Sequence, residues 1–264
     1  MSTTAATDCA VSLRAVGKRY ANGVVALDRL DLDVRPGEFV SLLGPSGCGK
    51  STALRIIAGL SEPTKGDVIW PRPDTPASER EIGFVFQEPT LMPWTTVAGN
   101  VRLPLDLQRI EAATAAPRVM AALARVGLTD FADVYPRELS GGMKMRVSIA
   151  RALVTESMLL LMDEPFAALD EITRFKLNDD LLSLWESLRK TVVFVTHSVF
   201  ESVYLSSRIV VMTPRPGRVF TELRIDAPYP RDQRFRTSAE YGAFCRQASE
   251  ALAAAGEAKP AARP

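Results

Sequence analysis

The chain has 264 residues, of which 47% are hydrophobic and 24% are charged, and its net charge is +1 at pH 7. This composition is that of a globular protein with one large or two small domains, and the small net charge argues against nucleic acid as the main partner. No apolar run approaches the roughly 18 residues of a membrane-spanning helix, residues 1–8 lack a signal-peptide pattern, and the three scattered cysteines favour neither disulfides nor a metal site. We therefore expect a cytosolic protein.

Two segments of alternating hydrophobicity open the chain, at residues 11–16 and 30–34. They predict a small antiparallel sheet, with a turn at residues 18–23. Tyr20 lies in that turn, where its ring would either stack on a purine base or pack against its neighbours. The pattern leaves both interpretations of Tyr20 open.

A glycine-rich motif lies between a predicted strand at residues 39–43 and a predicted helix that ends at Gly59. The motif matches G-x-x-x-x-G-K-[ST] and consists of Gly44, Pro45, Ser46, Gly47, Cys48, Gly49, Lys50, Ser51 and Thr52. In such a loop the backbone N–H groups and the N-terminus of the helix surround phosphate oxygens. Lys50 would reach the outer phosphates and Ser51 would ligate Mg²⁺, so the sequence predicts a nucleotide site.

A polar residue follows the next predicted strand, at residues 82–86. Gln87 lies just past the end of this strand, at the edge where open α/β sheets bind ligands. The loop behind it places Leu91, Met92 and Trp94 among prolines, which exclude a regular element. Such an apolar loop either forms a docking surface or folds back on its own core.

Residues 97–126 have a helical pattern rich in alanine and leucine. Pro104 and Pro117 are predicted to mark helix boundaries or first turns, because proline disrupts a helix interior. This segment is typical of a helical insertion between strands of a main sheet.

Ser140, Gly141 and Gly142 precede a predicted helix over residues 143–153. Ser140 can cap this helix, and the two glycines let an anion approach its backbone closely. On local grounds the group is either a second phosphate site or an ordinary helix start.

A predicted buried strand at residues 158–162 ends at Asp163 and Glu164. In phosphate-loop NTPases a carboxylate in this place holds Mg²⁺, and the adjacent Glu164 can polarise the attacking water as a general base. Asp170 then opens a long amphipathic helix that extends to about residue 189.

The chain's single histidine, His197, follows a predicted strand at residues 191–195. In a parallel sheet it would lie at the same edge as Asp163, within reach of a terminal phosphate oxygen or of the attacking water. Two further strands are predicted at residues 208–212 and 219–225. We expect a short helix after them and an Ala/Pro tail that frays after about Ala253.

In this order the motifs resemble the nucleotide-binding subunit of ATP-binding-cassette (ABC) transporters over roughly residues 11–225. The resemblance implies a role for each position. Tyr20 would stack on adenine, residues 44–52 would hold the phosphates of ATP, and Gln87 would sense Mg²⁺ and water. The remaining implied roles are nucleotide contact from the signature residues Ser140, Gly141 and Gly142, Mg²⁺ binding by Asp163 and Ser51, general-base catalysis by Glu164, communication across a dimer by Asp170, and a switch function for His197.

The resemblance also implies the fold and the partners. The fold would be an α/β P-loop NTPase of the ABC-ATPase type over residues 9–226, with a mixed central sheet, an N-terminal antiparallel β subdomain and a helical subdomain inserted at roughly residues 90–157. Residues 227–264 would form a C-terminal helix and a disordered tail. The expected partners are a second copy in head-to-tail arrangement, a transmembrane permease at the cytoplasmic face of the inner membrane and, through the permease, a periplasmic solute-binding protein, with no nucleic acid.

Three segments are similar to one branch of the family, the bacterial importers for nitrate, sulfonate, taurine and thiamine-pyrimidine precursors. They are residues 90–94, 140–143 and 215–218. Met143 and Met145 depart from the family pattern, which commonly has glutamine in this region, so nucleotide affinity could differ from that of other members.

Two other functional classes fit the sequence less well. A soluble ABC ATPase that acts on ribosomes or DNA usually has paired cassettes or long coiled-coil insertions, whereas this chain has one cassette and no sustained heptads. A small-molecule kinase would use the phosphate loop but would leave residues 139–143 and His197 without a role.

Overall fold

A computed structural model describes residues 9–71 and 82–258 of the chain. They form two compact units. Of the described residues, 9–71 and 189–258 belong to the first unit and 82–188 to the second. Residues 1–8 and the end of the expected tail, residues 259–264, lie outside the described residues.

The strands are β1 (Val11–Arg19), β2 (Val25–Val34), β3 (Phe39–Leu43), β4 (Lys65–Ile69), β5 (Ile82–Val85), β6 (Leu159–Asp163), β7 (Thr191–Thr196), β8 (Arg208–Met212) and β9 (Val219–Arg224). The helices are α1 (Lys50–Ile57), α2 (Val97–Leu107), α3 (Ala112–Arg125), α4 (Gly141–Leu153), α5 (Glu171–Leu188), α6 (Val199–Leu205), α7 (Gln233–Arg236) and α8 (Ala239–Glu257). In the part of the chain that is described, no helix has the length and apolar character required to cross a membrane.

The predicted antiparallel sheet is present in the first unit. Strand β1 lies between β2 and β4 and pairs antiparallel with both. Lys18 and Arg19 continue β1, although the sequence assigned them to a turn. The reason is pairing: Lys18 aligns with Leu27 of β2 and Arg19 with Val25, and the N–H of Arg19 also donates to the Thr64 hydroxyl at 3.0 Å. Sheet pairing here overrides the local turn preference.

The first unit also contains strands of a mixed sheet, which lie within this unit in the order β7-β3-β8-β9. Strand β3 is parallel to β7 and to β8, and β9 returns antiparallel to β8. Strands β3, β7 and β8 are buried along their whole length, which explains why they are continuous apolar runs in the sequence. Because these three strands are parallel, the loops that follow them meet at one edge of the sheet. The α/β fold with an antiparallel sheet and a mixed sheet is thus confirmed.

A buried arginine joins the end of α6 to the segment after β9. Arg231 is 4% exposed, and its guanidinium donates to backbone carbonyls on both sides. The acceptors are the carbonyl oxygens of Val203, Tyr204, Ser206, Ile225 and Ala227. A cation at the C-terminal end of a helix also interacts favourably with the helix dipole, so Arg231 stabilises α6 in two ways.

The C-terminal helix is longer than the sequence suggested. Helix α8 extends to Glu257, whereas we expected fraying after about Ala253. Ser238 caps its start by accepting the N–H of Tyr241 at 3.0 Å, and Ala255 in its last turn is completely buried. Packing of the last turn against the first unit therefore stabilises residues whose composition alone predicts a frayed end.

The second unit contains strands β5 and β6, which pair in parallel, and helices α2 to α5. Helices α2, α3 and α4 enclose an apolar cluster that includes Val101, Leu123 and Val147. Pro104 and Pro117 lie inside α2 and α3, so their prediction as boundaries or first turns is wrong. A proline costs a helix one backbone hydrogen bond, and the burial of the apolar faces offsets that loss.

Candidate nucleotide-binding site

The glycine-rich motif forms a loop between β3 and α1, as the sequence predicted. Helix α1 begins at Lys50 without a side-chain cap, and Gly49 before it has the left-handed conformation with φ of 109°. A Cβ atom at position 49 would lie 2.7 Å from the Ala26 carbonyl oxygen, so only glycine fits there. Because no side chain caps this helix, its first backbone N–H groups keep their partial positive charge available, which suits the helix start to binding phosphate.

Lys50 is held at the mouth of this loop. Its side chain is 3% exposed, and its amine donates to the carbonyl oxygens of Gly44 at 2.7 Å and Pro45 at 3.1 Å. These two contacts fix the ammonium group above the loop. The geometry places a positive charge where the outer phosphates of a bound nucleotide would lie.

A cavity of about 450 Å³ lies beside the loop within the first unit. His197, which follows β7, lines this cavity together with the start of the loop. The remaining lining residues are Pro214, Arg215, Leu252 and Gly256. The parallel order of β3, β7 and β8 thus brings the predicted histidine and the phosphate loop to one place.

Three polar residues fix the turn that carries His197. The Thr196 hydroxyl donates to the Glu201 carboxylate, and it also accepts the N–H of Ser198 at 3.0 Å. The Ser198 hydroxyl in turn accepts the N–H of Glu201 at 3.3 Å and caps α6. This closed set of hydrogen bonds defines the backbone direction at His197.

Tyr20 lies at the turn after β1, close to the first turn of α1. Its hydroxyl lies 3.2 Å from the Thr52 hydroxyl, and its ring lies 5.6 Å from the ammonium nitrogen of Lys18. The residue is 37% exposed. The ring is therefore adjacent to the phosphate loop and still accessible to a base.

The second unit contains the two carboxylates that were predicted at a strand end. Asp163 is the last residue of β6 and is 7% exposed. Glu164 follows it with a φ of +46°, a left-handed conformation that is rare for residues other than glycine. Strained backbone of this kind is concentrated at functional sites, which supports a chemical role for Glu164.

Gln87 is exposed and lies two residues beyond β5, at the start of the loop that the sequence left ambiguous. In that loop Leu91 packs against the apolar cluster of the second unit, whereas Trp94 is 76% exposed. Both interpretations therefore hold in part, since one apolar side chain turns inward and another faces solvent.

Two buried or half-buried residues hold this loop in place. The Asn100 side chain accepts the N–H of Met92 at 2.7 Å and donates to the Met92 carbonyl oxygen at 3.1 Å. Arg151 donates to the carbonyl oxygens of Pro89 at 2.8 Å and Thr90 at 2.9 Å. The loop is thus attached to α2 and α4 and presents Trp94 on a fixed backbone.

Ser140 caps α4, and its hydroxyl accepts the N–H of Met143 at 3.3 Å. Ser140 and Gly141 are exposed, so the start of this helix is accessible to an anion. Met145 is 2% exposed and Met143 packs against the apolar cluster of the second unit. The two methionines that depart from the family pattern thus contribute packing within the unit.

Asp170 precedes α5 and acts as its cap. Its carboxylate accepts the N–H of Thr173 at 2.9 Å, and this hydrogen bond lowers the pKa of Asp170 below its usual value. The carboxylate is exposed and remains charged at neutral pH, so it is accessible to a partner.

The predicted site residues are divided between the two units. Tyr20, residues 44–52 and His197 belong to the first unit. Those in the second unit are Gln87, Ser140, Gly141, Gly142, Asp163, Glu164 and Asp170.

A family model described as "ABC transporter" matches residues 27–167, which is more than half of the chain. The chain belongs to the ABC transporter family. The matched range includes the phosphate loop, Gln87, the Ser140 cap and the two carboxylates after β6. This ABC cassette is an ATPase subunit that binds ATP.

Curated relatives span nearly the whole cassette. An ABC transporter ATP-binding protein of Methanocaldococcus jannaschii is 50% identical over 220 residues, which are 83% of this chain and 81% of the relative. The aliphatic sulfonates import ATP-binding protein SsuB 1 of Xanthomonas axonopodis pv. citri is 44% identical over 247 residues, 93% of this chain and 95% of the relative.

A solved structure is similar to the cassette in fold as well. It is a dimeric ATP-binding cassette in a post-hydrolysis state, bound to ADP and Pi. The TM-score is 0.72 at 37% sequence identity, and the similarity covers 83% of this chain and 100% of that one.

The sequence patterns did not identify several polar residues that support the cassette's site. Asn100, Arg151, Glu201 and Arg215 each hydrogen bond to a loop that carries predicted site residues or lies beside them. The only signal for Asn100 was a polar residue within an apolar helix pattern. Arg215 belongs to the segment 215–218 that is similar to the importer branch, but that similarity gave it no role at the nucleotide site.

Proposed function

We propose that this cassette is the ATP-hydrolysing subunit of a bacterial importer for a small solute of the aliphatic sulfonate kind. The observation that carries the proposal is the 44% identity to the Xanthomonas sulfonate-import subunit, which extends over 95% of that relative. The alternative solutes are those of the other importers in this branch: nitrate, taurine and pyrimidine precursors. The proposal places the chain at the cytoplasmic face of the inner membrane, bound to a permease that receives solute from a periplasmic binding protein.

In this proposal the phosphate loop at residues 44–52 holds the phosphates of ATP. The uncapped start of α1 and the fixed ammonium of Lys50 support that role, since both place positive charge at the loop. His197, which lines the same cavity, would hydrogen bond to the terminal phosphate or to the attacking water. Positioning and charge stabilisation are the main contributions that a protein makes to phosphoryl transfer.

Mg²⁺ fits the donor set of the cassette. Among the described residues no group of three or more His, Cys, Asp or Glu side chains forms a metal site. A cation that keeps most of its contacts with phosphate oxygens and water needs only one or two protein carboxylates, which is the usual mode for Mg²⁺. The Ser51 hydroxyl, the Asp163 carboxylate and the Gln87 amide would hold it, and it would neutralise charge on the phosphates.

Glu164 would act as the general base. Its carboxylate is half-buried at the end of β6, directly after Asp163, and its backbone is held in a strained conformation. A base positioned by the fold can orient a water molecule and accept its proton as the bond to the terminal phosphate forms.

The site would be completed by a second copy in head-to-tail arrangement. Ser140, Gly141 and Gly142 would contact the ATP held by the partner's phosphate loop, and Asp170 would communicate between the two sites. The exposure of Ser140 and Asp170 and the dimeric state of the solved cassette support this arrangement. ATP would close the dimer, and hydrolysis would reopen it.

Replacing Tyr20 by alanine should weaken ATP binding roughly 5- to 150-fold, because stacking of a base on an aromatic ring contributes about 1–3 kcal/mol. The Tyr20→Phe variant keeps the ring and should bind ATP within about threefold of the unsubstituted protein. Equilibrium titration with ATP and with inorganic triphosphate measures both effects. An equal loss of triphosphate affinity in Tyr20→Ala would assign Tyr20 to packing instead of stacking.

The permease would dock on the Trp94 surface, by which we mean Trp94 and the exposed part of residues 89–96. A large apolar side chain that is 76% exposed on a hydrogen-bonded loop resembles the anchor residues of protein interfaces. This surface is separate from the phosphate loop in the chain, so docking can be tested without removing the nucleotide site.

The proposed function is tested by solute uptake in a bacterial strain that lacks the gene for this chain. The unsubstituted chain and Met158→Ala, which alters another exposed apolar residue of the second unit, should restore uptake of a radiolabelled alkanesulfonate and copurify with the permease. The amount of permease that copurifies with Trp94→Ala should be about tenfold lower than with the unsubstituted chain, as expected for an interface anchor. Full sulfonate uptake without the chain, or copurification with ribosomes or DNA, would reject the proposal.

A further inference from the structure

The hairpin loop that follows β8 contacts the phosphate loop directly. Strands β3 and β8 are neighbours and run parallel, so the loops at their ends lie side by side. The Arg215 guanidinium donates from Nε to the Gly47 carbonyl oxygen at 3.0 Å. The two residues are 168 positions apart in the chain, and both are exposed.

The hairpin loop is held firmly on its other side. The N–H of Gly217 donates to the Ala26 carbonyl oxygen at 2.9 Å, and the Gly217 carbonyl accepts the N–H of Asp28 at 3.1 Å. Arg218 forms an ion pair with the Asp28 carboxylate. Within the hairpin the Thr213 hydroxyl accepts the N–H of Arg218 at 3.1 Å. Arg215 therefore contacts the phosphate loop from a backbone that is held in place by these hydrogen bonds.

The two loops also approach each other through their backbones. A Cβ atom at Gly217 would lie 2.0 Å from the Cys48 carbonyl oxygen, so no larger residue fits at position 217. A Cβ atom at Gly47 would lie 3.0 Å from Nη2 of Arg215. The hairpin is thus packed against the outer side of the residues that turn around the phosphates.

We propose that Arg215 is a positioning residue for ATP binding, which acts by holding the Gly47 carbonyl on the outer side of the phosphate loop. The N–H of the next residue, Cys48, donates to the Pro45 carbonyl oxygen at 3.3 Å, so the peptide unit between Gly47 and Cys48 is held at both ends. Fixing this peptide unit keeps the turn of the loop in the shape that lets its backbone N–H groups surround an anion. The guanidinium also adds positive charge beside the loop, and in the described residues no carboxylate forms an ion pair with it. Arg215 would therefore maintain the loop in its binding conformation before ATP arrives.

This role predicts a selective effect on affinity. In the full-length chain Arg215→Ala should raise the Kd for ATP about threefold to tenfold, the loss expected for one hydrogen bond. The turnover rate at saturating ATP should change by less than about twofold, because ATP binding itself restores the loop conformation. Arg215→Lys retains a charged donor and should recover part of the affinity.

Arg224→Ala is the matched control, because it removes an equal charge from an exposed position on β9 that does not contact the loop. Its Kd for ATP should equal that of the unsubstituted chain. A second measurement is alkylation of Cys48, a buried thiol in the phosphate loop, followed by mass spectrometry without nucleotide. Alkylation should be faster in Arg215→Ala and in Arg215→Lys than in Arg224→Ala.

An ATP affinity of Arg215→Ala within about twofold of the control would overturn the proposal, as would a fall in turnover at saturation with unchanged affinity. If Arg215→Ala does not fold, the same comparison is made with Arg215→Lys, and unchanged affinity and alkylation there overturn the proposal. Failure of the unsubstituted chain to bind ATP is a separate result, since it would reject the nucleotide site itself.

Discussion

Glu164→Gln should lower ATP turnover by about 10²–10⁴-fold, the range that a positioned general base contributes. Glutamine has nearly the shape of glutamate but cannot accept the proton of the attacking water. ATP binding should be retained, because the phosphate loop belongs to the other unit and is unchanged. Phosphate release from the assembled transporter measures turnover, and equilibrium titration measures binding.

Glu171→Gln is a suitable control for this experiment. Glu171 is exposed in the same unit, at the start of α5, and its substitution makes the same change of charge. Its turnover should be that of the unsubstituted chain. If turnover of Glu164→Gln stays within about threefold of that value, the assignment of Glu164 as the base is wrong.

Mixing two inactive variants should restore ATP hydrolysis if the sites form between copies. Lys50→Ala removes the ammonium group at the phosphate loop, and Ser140→Arg places a large cation at the start of α4. In a head-to-tail dimer of one Lys50→Ala copy with one Ser140→Arg copy, one site carries both defects and the other is intact. An equal mixture should therefore regain up to about a quarter of the unsubstituted activity, as random pairing of subunits in a two-fold dimer predicts.

The double variant Lys50→Ala/Ser140→Arg, mixed with unsubstituted chain, is the control. Its mixed dimers contain no intact site, so the mixture should keep only the activity of the unsubstituted dimers, about a quarter of the total. Sites formed within one chain give the opposite pattern: no recovery for the first mixture and about half of the activity for the second. The two mixtures together decide between the arrangements.

The sequence predicted the elements that depend on local pattern. Strands β3, β7 and β8 were recognisable because burial on both faces requires continuous apolar residues. The phosphate loop was recognisable because its glycines and its lysine have fixed spacing relative to the strand and helix around them. Their positions in the structure agree with the prediction to within a few residues.

The other features of the fold and of the site depend on contacts between residues that are distant in the chain. Lys18 and Arg19 belong to β1 because they pair with β2 and because the N–H of Arg19 donates to the Thr64 hydroxyl at 3.0 Å. Helix α8 continues past Ala253 because Ala255 is buried. The hydrogen bond between Arg215 and Gly47 depends on the order of strands in the mixed sheet, which single-sequence patterns do not give. The tolerance of Pro104 inside α2 likewise depends on packing in the second unit.

During translation the phosphate loop is synthesised long before the strands that support it. Strand β3 ends at Leu43, whereas its two neighbours begin only at Thr191 and Arg208. A nascent chain therefore carries the complete glycine-rich motif through most of its translation while β3 has neither of these partners. The phosphate loop and β3 can therefore fold only after the last third of the protein has left the ribosome. Chains released before that point should expose β3 as an unpaired apolar strand to chaperones and proteases.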